Sequence, residues 1–173
     1  MIWEKIEGWF DFQNLYLDRV QNCDNAVFIE IGCWRGKSVA FLAEMIKESN
    51  KNIKLFAIDI WKPFMQGGVM ECAPYEEYLK NTELLKEYIT TIKLSSVEAS
   101  KLFEDNSVDF IFIDACHDYK SVKSDIIAWL PKIKKDGIFA GHDYDWPGVN
   151  QAVNEILPNH RIINGNTWIY KQE

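Results

Sequence analysis

The sequence predicts one α/β domain. Its sheet is doubly wound, mostly parallel and seven-stranded, with helices on both faces and a C-terminal antiparallel hairpin. Three observations carry that prediction. Five short apolar runs alternate with segments of helical period from residue 26 onward, the signature of parallel strands joined by crossover helices. Two further strand-like runs then flank Gly165–Asn166, a pair suited to a tight hairpin turn. The 173 residues, 47% apolar and 26% charged, suffice for one core and fall short of two.

Residues 1–25 form an N-terminal extension, helical from Asp11 to Val20, for which a lid, a packing arm and a dimer contact all stay open. Ala26–Ile31 (AVFIEI) is a buried strand between the polar QNCDN and Gly32. The helix Gly36–Glu48 aligns Val39, Leu42, Ala43 and Ile46 on one face and stops at SNKN. Ile53–Ile60 is the second strand. Trp61–Pro74, with two prolines and Gly67–Gly68, is too irregular for either element. Tyr75–Ile89 reads as helix, with a break near Asn81–Thr82. Thr91–Ser95 is a short strand, Val97–Phe103 a short helix, and Val108–Ala115 (VDFIFIDA) the strongest strand in the chain. In Tyr119–Leu130, Val122, Ile126, Trp129 and Leu130 share one side of an amphipathic helix, which Pro131 and a KKDG turn terminate. Gly137–Ala140 opens the fifth strand, Gly148–Leu157 is a helix stopped by Pro158, and Arg161–Asn164 with Thr167–Lys171 make the hairpin.

Composition narrows the function. No apolar run approaches eighteen residues, so a membrane partner is not expected. The N-terminal MIWEKIEGWFDF carries acids where a signal peptide needs basic and then apolar residues. A net charge of −7 without a Lys/Arg cluster disfavours nucleic acid. The four cysteines (Cys23, Cys33, Cys72, Cys116) show no C-x-x-C spacing, which suits free thiols in a reducing cytoplasm rather than structural zinc.

In such folds the ligand sits at the carboxyl edge of the sheet, beside the first strand. There the chain reads Glu30-Ile31-Gly32-Cys33-Trp34-Arg35-Gly36-Lys37-Ser38. A phosphate loop needs four residues between its glycines and this turn has three; the dinucleotide G-x-G-x-x-G pattern fails at Trp34. An acid two residues before Gly32, followed by G-x-x-x-G into a helix, resembles motif I of the class I S-adenosylmethionine-dependent methyltransferases. That resemblance implies Glu30, Gly32, Gly36, Ser38, Asp59 and Ser96 as cofactor-binding residues. Glycine permits the sharp turn and close approach, and the exposed N–H groups favour a carboxylate. Glu30 would order the cofactor's amino end. Asp59, ending the second strand, is placed to accept both ribose hydroxyls, with Trp61 covering the adenine. Ser96 either contacts the adenine edge or caps the next helix.

The fourth strand ends Asp114-Ala115-Cys116-His117 and the fifth Gly141-His142-Asp143-Tyr144. As neighbouring strands they bring Asp114 and Asp143 together, and two close carboxylates call for a proton or a cation between them. A divalent ion such as Mg²⁺ suits that set. His142 either adds a ligand, which would also admit Mn²⁺, Fe²⁺ or Zn²⁺, or faces the opposite side of its strand. His117 is placed to take a proton from a substrate hydroxyl. A purely structural alternative makes Asp114 a capping acid and His117 a solvated loop residue.

The segment FIDACHDYKSVKSDIIAWLPKIKKDGIFAGHDY, followed by GVNQAVNEI, resembles a small methyltransferase family. It includes metal-dependent O-methyltransferases of macrolide sugars and cephalosporin-hydroxylase-like proteins; the likeness spans roughly residues 26–157. The resemblance implies that Asp114 is a metal carboxylate and that the family's acidic pair falls on His142 and Asp143, with histidine in the first place. It also implies that His117 is the proton-abstracting histidine. The expectation is therefore S-adenosylmethionine-dependent O-methylation of a small hydroxylated acceptor, assisted by Mg²⁺ or another divalent cation on Asp114, His142 and Asp143. The methyltransferase domain would span 26–173, with Trp61–Pro74 and the arm shaping the acceptor pocket, the glycine pair hinging closure, and a homodimer partner contributing specificity. Two alternatives stand beside it: a metal-dependent hydroxylase or hydrolase, and a non-catalytic cofactor-binding module.

Overall fold

The computed structural model describes residues 1–62 and 75–172 in full, and between them the backbone of 64–66 and 69–71. The strands are β1 (Ala26–Ile31), β2 (Ile53–Asp59), β3 (Phe64–Gln66), β4 (Val69–Glu71), β5 (Ile89–Lys93), β6 (Val108–Ile113), β7 (Ile133–Gly141), β8 (Arg161–Ile163) and β9 (Thr167–Tyr170). Seven form one sheet in the order β5-β2-β1-β6-β7-β9-β8, parallel except where β9 meets β7 and β8. The direction of winding reverses at β1, between β2 and β6, which is the switch point where such sheets open to ligands.

Helices α1 (Gln13–Asn22), α2 (Lys37–Ser49), α3 (Tyr75–Thr82), α4 (Ser96–Ser100), α5 (Tyr119–Trp129) and α6 (Pro147–Ile156) cover the sheet. The two-residue period of the strands sorts the core into two layers. Phe28, Phe110 and Phe112 face α1 and α2, while Ile29, Ile31, Ile111 and Ile113 face α5 and α6. Glu30 shares the parity of Phe28 and so lies under the N-terminal segment. That segment packs: Ile6, Phe12, Leu15, Tyr16 and Val20 are buried in the first layer.

Three predicted elements are corrected. Within Trp61–Pro74 the chain forms the antiparallel pair β3–β4; the glycine pair proposed there as a hinge lies outside the described residues. Strand β7 begins at Ile133, so KKDG belongs to the strand. Its pairing jumps from Val108↔Ile133 to Phe110↔Ile138, an outward bulge that carries Lys134–Asp136 while Ile133 stays buried. The helix α4 is capped by Ser95, whose Oγ accepts from the Glu98 amide, and not by Ser96.

Asp118 caps α5, accepting from Lys120 N and Ser121 N at 3.1 Å each. Replacing it with alanine is expected to cost about 1 kcal/mol in chemical denaturation.

Candidate active site

The register aligns Ile31, Ile58 and Ile113, and sets Ile113 opposite Gly141, so that Gly32, Asp59, Asp114 and His142 emerge at one edge. Gly32 donates its N–H to Ile58 O, and Asp114 donates to Ile31 O. Gly32 has φ +86, and a Cβ there would overlap the Asp114 carbonyl. Gly36, φ +85, forms the N-cap of α2 with Tyr78 close behind it. The predicted turn is present, and its first glycine rests directly on the end of β6.

Both acids of the predicted cofactor cradle are engaged by the protein. Asp59 Oδ2 accepts from Cys33 N at 2.8 Å and Trp34 N at 3.0 Å, and Oδ1 accepts from Trp61 N at 2.7 Å. A carboxylate offers about four acceptor positions, so one remains for a ligand hydroxyl. The Trp61 indole donates to Trp34 O and its ring packs on Tyr75 and Tyr78. Glu30 is 1% exposed; Tyr16 Oη donates to its Oε2 and Ser38 Oγ to its Oε1. Burial pushes this carboxyl up to about 8 against the pull of those two donors. Glu30 and Ser38 thus meet each other and the arm. Ser96 Oγ accepts from the Trp129 indole at 2.9 Å and bonds the buried Asp125.

The predicted acids come together. One ligand atom each from Asp114, His117 and Asp143 lies within 4.8 Å of the others. His117 Nε2 is 2.8 Å from Asp143 Oδ2, and Trp146 packs 4.8 Å from the His117 ring. The set differs by one member from the predicted Asp114, His142 and Asp143. His142 turns toward the arm, its Nε2 2.9 Å from Asp11 Oδ1 and its Nδ1 3.2 Å from Asp143 Oδ1. Burial, reinforced by Asp143 and opposed by the two histidines, pushes Asp114 up to about 6. Burial alone would lower His142; its hydrogen bond to Asp143 and the charges of Asp114, Asp143 and Asp11 prevail and lift it to about 9. Burial would raise Asp143, but hydrogen bonds from His117 and His142 hold it well below the usual carboxylate range.

A cavity of about 10 Å³, water-sized, is lined by Asp114, His117, His142 and Trp168 among others. Trp168 is 1% exposed, and its Nε1 has no hydrogen-bond partner among the described residues, which makes it a donor in want of an oxygen. A larger hollow of about 350 Å³, beside Arg161 and Lys171, opens toward the opposite edge of the sheet. It is remote from these groups.

Residues 29–144 match the family model of a methyltransferase domain, two thirds of the chain. The chain belongs to this methyltransferase family. No curated protein matches it. CalS11, a calicheamicin methyltransferase, has a similar structure, with TM-score 0.73 and 15% identity over 92% of this chain and 76% of its own. The O-methyltransferase NovP gives 0.74 and 14% over 92% and 78%. The precorrin 8w decarboxylase of Methanobacterium thermoautotrophicum gives 0.66 and 14% over 98% and 95%. Likeness at this level shows the shared fold; one fold hosts several chemistries, so the methyltransferase's function must be argued from its site.

Sequence reasoning missed Asp11, Tyr16, Trp146 and Trp168 as neighbours of the site. Nothing local marks Asp11 or Tyr16, which reach the sheet edge only through the packing of the arm. No helix among the described residues is long and apolar enough to cross a membrane.

Proposed function

We propose that this methyltransferase O-methylates a small hydroxylated acceptor, sugar- or natural-product-like, using S-adenosylmethionine and a divalent cation. One observation carries the reading. The glycine turn and the Asp114–His117–Asp143 cluster are contiguous, Gly32 lying against the Asp114 main chain. A methyl donor on the turn and an acceptor on the cluster would therefore be neighbours.

The donor set fits both groups. Asp59 keeps an acceptor position beside the turn, and Asp114 with Asp143 offers two hard oxygens, enough for Mg²⁺, which keeps its remaining ligands as water and substrate. When bound, S-adenosylmethionine supplies the methyl group and the cation lowers the pKa of the acceptor hydroxyl. The rest falls to the chain. His117 Nε2 meets Asp143 Oδ2 at 2.8 Å, which fixes the direction of the ring, and His117 would take the hydroxyl proton. Trp146 packs against that ring, and the Trp168 indole N–H is available to an oxygen in the cavity. Glu30 steadies the turn from beneath by holding Ser38 in the first turn of α2.

Calorimetric titration with S-adenosylhomocysteine tests the donor site. Saturable heat is expected, and Asp59→Asn is expected to weaken binding by about tenfold, the loss of one charge-assisted hydrogen bond. No heat and no thermal shift at millimolar ligand would end the donor assignment. Mn²⁺ titration followed by electron paramagnetic resonance tests the cation separately, with binding expected in the native chain and lost in Asp114→Asn.

A further inference from the structure

The outermost member of the site comes from the N-terminal arm. Asp11 Oδ1 meets His142 Nε2 at 2.9 Å, and His142 Nδ1 meets Asp143 Oδ1 at 3.2 Å. Asp143 Oδ2 in turn meets His117 Nε2 at 2.8 Å. Four side chains thus run in series, Asp11–His142–Asp143–His117. His142 thus stands between two carboxylates, one on the arm and one at the end of β7. Phe12 packs on the same ring, with centroids 5.1 Å apart, so the arm holds His142 by its edge and by its face.

Each histidine meets a different oxygen of Asp143, and Asn166 Nδ2 also donates to Oδ1 at 3.3 Å. A rotation of this carboxylate that loosens His142 also loosens His117. The geometry points to Asp11 as a positioning residue: through His142 and Asp143 it sets the orientation of His117, and so couples docking of the arm to the proton-accepting ring. Outer partners of this kind commonly fix the tautomer and direction of a functional histidine. Further polar ties of the arm reach elsewhere, among them Tyr16 to Glu30, the Ile2 amide to Glu44, the Gly8 carbonyl to Lys37, and Glu7 to Arg35. Removing one of those ties is a matched control.

The inference rests on the proposed role of His117, but its test needs no donor, cation or acceptor, so its failure and the failure of that role are separable. The chain has three histidines, and in the ¹⁵N-histidine-labelled full chain each ring is resolvable in long-range ¹H–¹⁵N spectra. His160, bonded to Leu157 O and Tyr144 Oη, is the internal reference. Asp11→Asn is expected to shift the ring nitrogens of both His142 and His117, leaving His160 in place. Glu7→Gln is expected to leave all three rings unmoved. The Asp11 side chain is 62% exposed, so its replacement is compatible with folding, and Asp11→Ser gives a second truncation of the same link. His117 signals unchanged in both Asp11 variants, or moved equally by Glu7→Gln, would overturn the assignment.

Discussion

Gly32→Ala is expected to cost more than about 4 kcal/mol and to leave little folded protein, a loss few single substitutions reach. Two effects add. The residue sits at φ +86, where an L side chain is strained by about 1–2 kcal/mol. The larger effect is the overlap of its Cβ with the carbonyl of Asp114, with Ala115 Cα only 2.8 Å away. These are main-chain atoms at the end of β6, pinned by the bond from Asp114 N to Ile31 O, and they have no rotamer to yield. Gly165→Ala supplies the comparison. Its φ of +78 is similar, but no atom lies within 4 Å of the new methyl, so only the conformational cost of about 1 kcal/mol is expected. Gly36→Ala should fall between them, because its Cβ meets the Tyr78 ring and the Thr82 methyl, which can shift. Urea denaturation of the three variants gives the order. Equal losses at Gly32 and Gly165 would mean that the contact between turn and β6 is looser than described, and the contiguity behind the proposed function would go with it.

What could be read in advance follows the range of the interactions. Val108–Ala115 and Tyr119–Leu130 were legible because their patterns are local, and they match β6 and α5 to within two residues. The meeting of Asp114 and Asp143 was legible too, since strands consecutive in sequence are most often neighbours in the sheet. The choice between His117 and His142 was not. Side chains alternate along a strand, but the alternation ends at Asp143, whose φ of +57 turns the chain back. Asp143 thereby faces His117 while His142 faces Phe12 and Asp11. The arm was the least legible part. The bond between Asp11 and His142 spans 131 residues, and nothing near Asp11 in WFDFQN signals a partner so distant. Glu30 shows the same limit. The acid two places before Gly32 was visible as a site residue, whereas its burial beneath Tyr16 depends on where α1 packs.

Glu30→Gln is expected to flatten the dependence of stability on pH. The Glu30 carboxyl lies near 4.5 when unfolded and is pushed up to about 8 by burial in the folded chain. Below the lower value both states are protonated and the group contributes nothing. Between the two the folded state holds one proton more, so unfolding free energy falls as pH rises, on the order of 1 kcal/mol per pH unit, and the loss saturates above about 8. His142 works in the same direction: raised from 6.5 to about 9, its contribution is complete below 6.5 and is lost as pH rises through 9. The native chain should therefore weaken steadily toward alkaline pH. Glutamine never ionises, and the Tyr16 and Ser38 hydroxyls can each donate to or accept from its amide. Near pH 5 the variant should match the native protein within about 1 kcal/mol, and near pH 9 it should exceed it by a few kcal/mol. Denaturation curves at both values decide the matter, and parallel shifts in the two proteins would refute the assignment. An acid that costs stability at neutral pH has a structural alternative in glutamine. A variant that gains stability while losing affinity for S-adenosylhomocysteine would place Glu30 in the service of the donor turn, through Ser38 and α2.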